Sequence, residues 1–208
     1  IEEAKRLAPM LLQALWRGVH RNDFIALAES YPGVRQAAVL DINDFPLYSF
    51  QISYYEVWVA IIPEQGEYPS EQLKQEVYDF LQQRKYVTAD IRILDPEYVS
   101  IDIEGVIYKY RDYSSHAVMS AVTKELEDFF KIARSPVATK KLTGSVDGRV
   151  LGEDVRISKL YDLIQGVPGV NYVNLVFPQD DVRINYKQIS VLGEIRLRVS
   201  DSAEEFGA

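Results

Sequence analysis

The chain has 208 residues, 47% of them hydrophobic and 12% aromatic, which is enough apolar material for one large or two ordinary globular cores and excludes global disorder. It has no cysteine, so disulfides and thiolate metal sites are ruled out, and its net charge of -8 is spread over both halves. Nucleic acid is therefore a poor partner, because phosphate neutralisation by Lys and Arg dominates that affinity.

No apolar run approaches the roughly 20 residues that a membrane-spanning helix needs, so direct membrane insertion is not expected. The longest such run, "VWVAII" at residues 57–62, has the length of a strand. The opening "IEEAKRLAP" begins without methionine and lacks the basic-then-apolar order of a signal peptide, and the expectation is a piece of a longer chain.

Residues 2–7 have helical character, but Pro9 removes a backbone donor, and the segment reads as a connecting arm. Asn22 or Asp23 is predicted to cap the next helix, whose Phe24, Leu27, Ala28 and Tyr31 recur on one face until Pro32. In "YPGV" at residues 31–34, Pro32 presets the dihedral of the second turn position and Gly33 tolerates a positive φ at the third, the requirements of a type II turn. Residues 37–42 and 55–62 then read as two strands around a loop with Asp44 and Pro46, and 57–62 is apolar enough to be buried on both faces.

Pro69 and Ser70 open an amphipathic helix with Leu73, Val77, Phe80 and Leu81 on its apolar stripe, expected to end near Lys85. "TADIRIL" at residues 88–94 alternates as a half-buried strand, with Ala89, Ile91 and Ile93 inward. Pro96 in "DPEY" biases Asp95 to an extended or turn conformation, which makes this the best internal boundary. The first unit, residues 1–95, is thus an arm plus α-β-β-α-β.

In the second unit, residues 96–208, Val99, Ile101 and Ile103 face one way, whereas beyond Gly105 the apolar phase moves to Val106, Tyr108 and Tyr110. A bulge at Gly105 accounts for that flip. A helix follows Ser114 and Ser115, striped by Val118, Val122, Leu126 and Phe129 and widened by Met119 and Phe130. Residues 136–152, including "KKLTGSVDGRVLG", read as a projecting loop or hairpin.

Ile157, Leu160, Leu163 and Ile164 form the last helix face, which ends at a second Pro-Gly-Val punctuation with Pro168 and Gly169. Strands follow at residues 172–177 and 189–199, before a short C-terminal tail. The order is β-α-loop-α-β-β, and each unit holds an α-PGV-β-β piece. The fold class is α+β: two two-layer domains, each a mainly antiparallel or mixed sheet covered by helices.

Residues with chemical potential are sparse. His20 and His116 are far apart and belong to no ligand-spaced motif. Asp102 and Glu104 lie two apart on a strand and share a face, which suits an acid/base pair in a cleft or, more simply, a solvated sheet face. Asp180 and Asp181 read as a turn, and "GSVDGR" matches neither a phosphate-binding loop nor a serine-nucleophile turn. No catalytic, cofactor or metal site is assigned. Lys140, Lys141 and Arg149 flank the loop and are the candidate contacts with an acidic partner surface, and the 14 tyrosines supply rigid area with a polar tip suited to packed surfaces.

Taken together, "EEAKRLAP" at 2–9, "RGV" at 17–19, "DF" at 23–24, "YPGV" at 31–34 and "PSEQLKQEVYDFL" at 69–81 are ordered landmarks. "ADIRILDPEYVSIDIEGVIY" at 89–108, "SKLYDLIQGVPGV" at 158–170 and "VLGEIRL" at 191–197 continue them. In that order the chain resembles the baseplate J-like family, wedge proteins of contractile phage tails and related injection machines. Residues 41–55 and 136–152 do not carry the resemblance, and His20 stands where the family has a hydroxylated helix cap.

The resemblance implies a structural, non-enzymatic wedge subunit without cofactors, repeated in a symmetric ring around a tail hub. There it would hold other baseplate and wedge proteins and pass a conformational change to the sheath. Its place would be the tail baseplate of a virion, assembled in host cytoplasm, or the corresponding part of a bacterial tailocin or injection device. The competing expectation is a small-ligand or hydrolytic domain whose cleft gathers Asp102, Glu104 or His116.

Overall fold

The computed structural model describes residues 17–40, 55–134 and 148–201. The predicted arm, the loop containing Asp44 and Pro46, Lys140, Lys141 and the C-terminal tail lie outside the described residues. In chain order the first unit contains helix α1 (Arg21–Ser30), strands β1 (Val34–Leu40) and β2 (Glu56–Pro63), helix α2 (Glu71–Gln82) and strand β3 (Asp90–Leu94). The second contains β4 (Glu97–Lys109), α3 (Ser115–Phe130), α4 (Ile157–Gln165), β5 (Val170–Phe177) and β6 (Gln188–Asp201).

Each unit has a three-stranded mixed sheet, β1-β2-β3 and β5-β4-β6. The central strand has one antiparallel neighbour, β1 on β2 and β5 on β4, and one parallel neighbour, β3 beside β2 and β6 beside β4. The fold is α+β in two two-layer units.

Helices cover one face of each sheet because their apolar stripes have nowhere else to go. Phe24, Leu27 and Ala28 of α1 and Val77 and Leu81 of α2 pack on Val39, Val59, Ile61 and Ile91. In the second unit, Val118, Val122 and Leu126 of α3 and Leu160 and Ile164 of α4 pack on Ile101, Ile103, Ile107, Val173 and Leu197. The residues of β2 that alternate to the other side, Ala60 and Ile62, are also buried.

Three sequence expectations need correction. Helix α1 is capped by His20, with neither Asn22 nor Asp23 as its N-cap. Asp23 instead reaches back from the third helical position, its carboxylate accepting from the backbone N–H of His20 at 2.9 Å and of Val19 at 3.2 Å.

The second correction concerns Gly105. The register against β5 does shift between Glu104 and Gly105, but the extra residue is Val176 on β5, because Glu104 faces Phe177 and Gly105 faces Leu175. No phase flip follows: Ile101, Ile103, Gly105, Ile107 and Lys109 are all buried, and Val106 and Tyr108 stay on the other side. Glycine is required at 105 because a Cβ there would lie 2.5 Å from the carbonyl oxygen of Asn174.

The third correction is the C-terminal end of the predicted projecting loop. Arg149 and Leu151 are buried, and Arg149 forms a parallel bridge with Ile132. That end lies inside the molecule.

Candidate functional site

The two punctuation turns set the directions of β1 and β5. Gly33 and Gly169 have φ of 92° and 96°, in the region that disfavours a side chain, and each turn closes on a backbone hydrogen bond. Val34 N–H donates to Tyr31 at 3.2 Å, and Val170 N–H donates to Val167 at 3.1 Å. The carbonyl of Gly33 also accepts from Glu64 at 2.8 Å, tying the turn to the far end of β2. At Gly169 a Cβ would fall 2.5 Å from the Tyr113 ring.

The face of β1-β2-β3 away from its helices is closed by the second unit. Ala38 and Ile62 pack with Leu151 and Ile189, flanked by Tyr98 and Ile132. Leu40 and Ala60 pack with Trp58, Leu94 and Tyr186. A buried polar side chain crosses this apolar seam. Gln36 of β1 is fully buried; its amide nitrogen donates to the carbonyls of Ala133 and Arg149, both at 2.7 Å, and its amide oxygen accepts from Leu151 N–H at 3.1 Å. Every partner of the Gln36 amide is backbone of the second unit.

Arg149 does not present its charge to a partner. It is only 3% exposed, so the expectation that it meets an acidic surface is corrected. Its Nε donates to Ser190 Oγ at 2.7 Å, and its Nη2 donates to the carbonyls of Glu153 at 2.6 Å and Asp154 at 2.9 Å. Nη1 lies 3.4 Å from the Glu153 carboxylate, and the guanidinium stands over the Phe129 ring, 5.1 Å from its centroid. Burial lowers its affinity for a proton, opposed by the nearby Glu153 and Asp154 charges. The guanidinium fixes residues 149–154 to the second sheet.

Among the described residues, nothing covers the corresponding face of the second sheet. Its strands carry in register Tyr172, Tyr108 and Ser200; Asn174, Val106 and Arg198; and Phe177, Glu104 and Arg196. The Tyr108 and Tyr172 rings stack at 4.2 Å between centroids. Tyr172, Val176 and Phe177 remain about half exposed. At the other end, Arg196 pairs with Glu104 at 3.3 Å, Glu194 at 3.1 Å and Asp102 at 3.7 Å. The face therefore runs from an aromatic-apolar end to a charge-paired end.

The predicted carboxylate pair does share a strand face, but on this open surface and around an arginine. Asp102 also accepts from Glu194 N–H at 2.8 Å, where β6 bulges against β4. His116 is exposed on the first turn of α3, far in sequence and element from that pair. A cleft of about 640 Å³ lies at the connection between the units, lined by Tyr68, Pro96, Tyr98 and Lys187 among others, and neither Asp102, Glu104 nor His116 borders it. There the Glu97 carboxyl is held below its ordinary range by Lys187, with Gln188 adding a second donor against the opposing effect of burial. Asp181 caps α4 from a distance, accepting from Ile157 N–H at 2.8 Å. Among the described residues no group of three His, Asp or Glu side chains is arranged to hold a metal ion.

Sequence reasoning missed Gln36, Ser190 and the role of Arg149. The one available signal was a glutamine in an otherwise apolar strand run, "VRQAAVL".

Comparison with curated proteins gives no match. In the cryo-EM structure of the anti-feeding prophage (AFP) baseplate, 6-fold symmetrised, one chain has a similar fold, with a TM-score of 0.65 and 17% sequence identity. The likeness covers 93% of the present chain and 42% of that one, so this chain spans less than half the length of its structural match. Residues 99–198, from β4 through almost all of β6, match the family model of the Baseplate J-like protein C-terminal domain. That match over the second unit, with the ordered landmarks of the sequence, supports the baseplate J-like family for this chain.

Proposed function

We propose that this chain is a non-enzymatic wedge component of a contractile-tail baseplate. In this reading several copies stand in a symmetric ring around the tail hub and hold neighbouring baseplate proteins. A shift between two packed arrangements passes the triggering conformational change towards the sheath. The observation that carries the reading is the family match over residues 99–198. The open face of the second sheet adds to it. Tyrosine and phenylalanine side chains beside valines, bordered by paired charges, have the composition of an interface core with a polar rim, and a neighbouring baseplate subunit is the occupant we assign to it.

A second reading keeps the role and changes the machine: a bacterial tailocin or injection device in place of an infectious virion. The fold likeness to a chain of the anti-feeding prophage baseplate motivates it. Cryo-EM of the native particle tests both. A ring of these chains around a tail hub is the expected result, and the remainder of the particle distinguishes virion from injection device. Recovery of the chain from producing cells as a stable monomer without tail or injection-machine subunits would overturn the proposal.

A further inference from the structure

We propose that Gln36 acts as an interdomain staple, locking the two sheets into one rigid body, so that the short connection between β3 and β4 does not serve as a hinge.

A two-residue connection, Asp95 and Pro96 between Leu94 and Glu97, would allow two independently cored units to swing. Three features oppose it. First, the seam is apolar on both sides, with Ala38 and Ile62 against Leu151 and Ile189, so opening it would expose these side chains to water. Second, the Gln36 amide makes three bonds to backbone groups of residues 133–151. Separating the sheets would strand those groups in an apolar seam unless water entered to replace every partner.

Third, the receiving segment is itself immobilised. The carbonyl of Arg149 accepts from Ala133 N–H at 3.0 Å as well as from Gln36, and Arg149 N–H donates to Lys131 at 2.6 Å. The buried Arg149 side chain ties the same residue to Ser190 of β6. Gln36 therefore grips the second sheet itself, through Arg149, and not a loose strand of loop. The connection is also held from the first unit, since Lys74 of α2 reaches the Asp95 carboxylate at 3.0 Å.

The staple is an intramolecular property and does not depend on the baseplate reading. Failure of the ring to appear leaves it standing, and failure of the staple leaves the ring standing. If both hold, motion passed through this chain must be absorbed outside it.

The absence of native cysteine allows clean double labelling of the full chain. Spin labels at Val87→Cys in the first unit and Asp180→Cys in the second, both exposed positions, report the distance between the units. The expected result is a single narrow distribution with Gln36 present, and a broad or two-peaked one in Gln36→Leu, which keeps the volume and removes all three bonds. Amide exchange at Leu151, protected in the parent, should accelerate in the variant.

A broad distribution in the parent, or a distribution and Leu151 protection unchanged in a folded Gln36→Leu chain, would overturn the proposal. Should Gln36→Leu fail to fold, Gln36→Asn makes the same comparison. Its amide ends one methylene short of the second unit.

Discussion

Gly105 illustrates how one residue can be noticed in a sequence for the wrong reason. The run Val106, Tyr108, Tyr110 is apolar, and periodicity alone reads it as the inward face. It is the outer face, where Tyr108 stacks on Tyr172 and Val106 lies beside Asn174 and Arg198. The inward position opposite that run is taken by Lys109, which buries its stem and hydrogen-bonds the Asp201 carboxylate at the end of the sheet. What Gly105 provides is close approach to β5. A methyl group at that site meets backbone atoms, the Asn174 oxygen at 2.5 Å and the Leu175 Cα at 3.0 Å, and neither can rotate away. Gly105→Ala is therefore expected to destabilise the chain by about 1–3 kcal/mol, the usual result of forcing atoms into a packed site. Chemical denaturation measures it, and an unchanged midpoint would show that β5 yields easily.

At the scale of elements, the start of α1 turns on Asp23. Its carboxylate satisfies the backbone donors of Val19 and His20 and places negative charge in the first helical turn, where the helix dipole favours it. Asp23→Ala should cost about 1 kcal/mol, in the range of other capping losses. Thermal unfolding of the two chains gives the comparison, and equal midpoints would mean that water replaces the carboxylate at no cost.

The helix itself was legible from its apolar spacing, but its first residue was not. The sequence offers Asn22 and Asp23 as cap candidates close behind His20, and which residue leaves helical geometry is decided by tertiary packing. The twin α-PGV-β-β pieces had the same limitation. Both turns and the strand order are readable, yet β1 and β2 are neighbours whereas β5 and β6 flank β4 on opposite sides. Which strand sits between them is a long-range choice, and Pro-Gly chemistry acts only on its own turn. The seam was half legible. The all-apolar run at 57–62 announced burial on both faces, but nothing in it named the second unit as the cover, or Gln36 as the residue crossing to it.

For the whole molecule, the two sheets divide the work of burial unequally. Among the described residues, the first is covered on both faces, by helices and by the second unit, and the second by helices alone. Charge inserted on the two uncovered-by-helix faces should therefore have opposite consequences. Ile62 is 1% exposed in the seam, and Ile62→Glu would place an unpaired carboxylate in an apolar contact, so loss of the folded chain is the expected outcome. Val176 is 51% exposed at the bulge of β5, and Val176→Glu should leave stability within about 0.5 kcal/mol of the parent, as is usual for surface changes. If the open face is where a neighbouring subunit docks, the same substitution desolvates a charge at the centre of that contact and should abolish incorporation into particles. The measurement pairs thermal unfolding of the isolated chain with particle assembly in producing cells. A Val176→Glu chain that folds normally and still assembles at parental yield would remove this face from the interface.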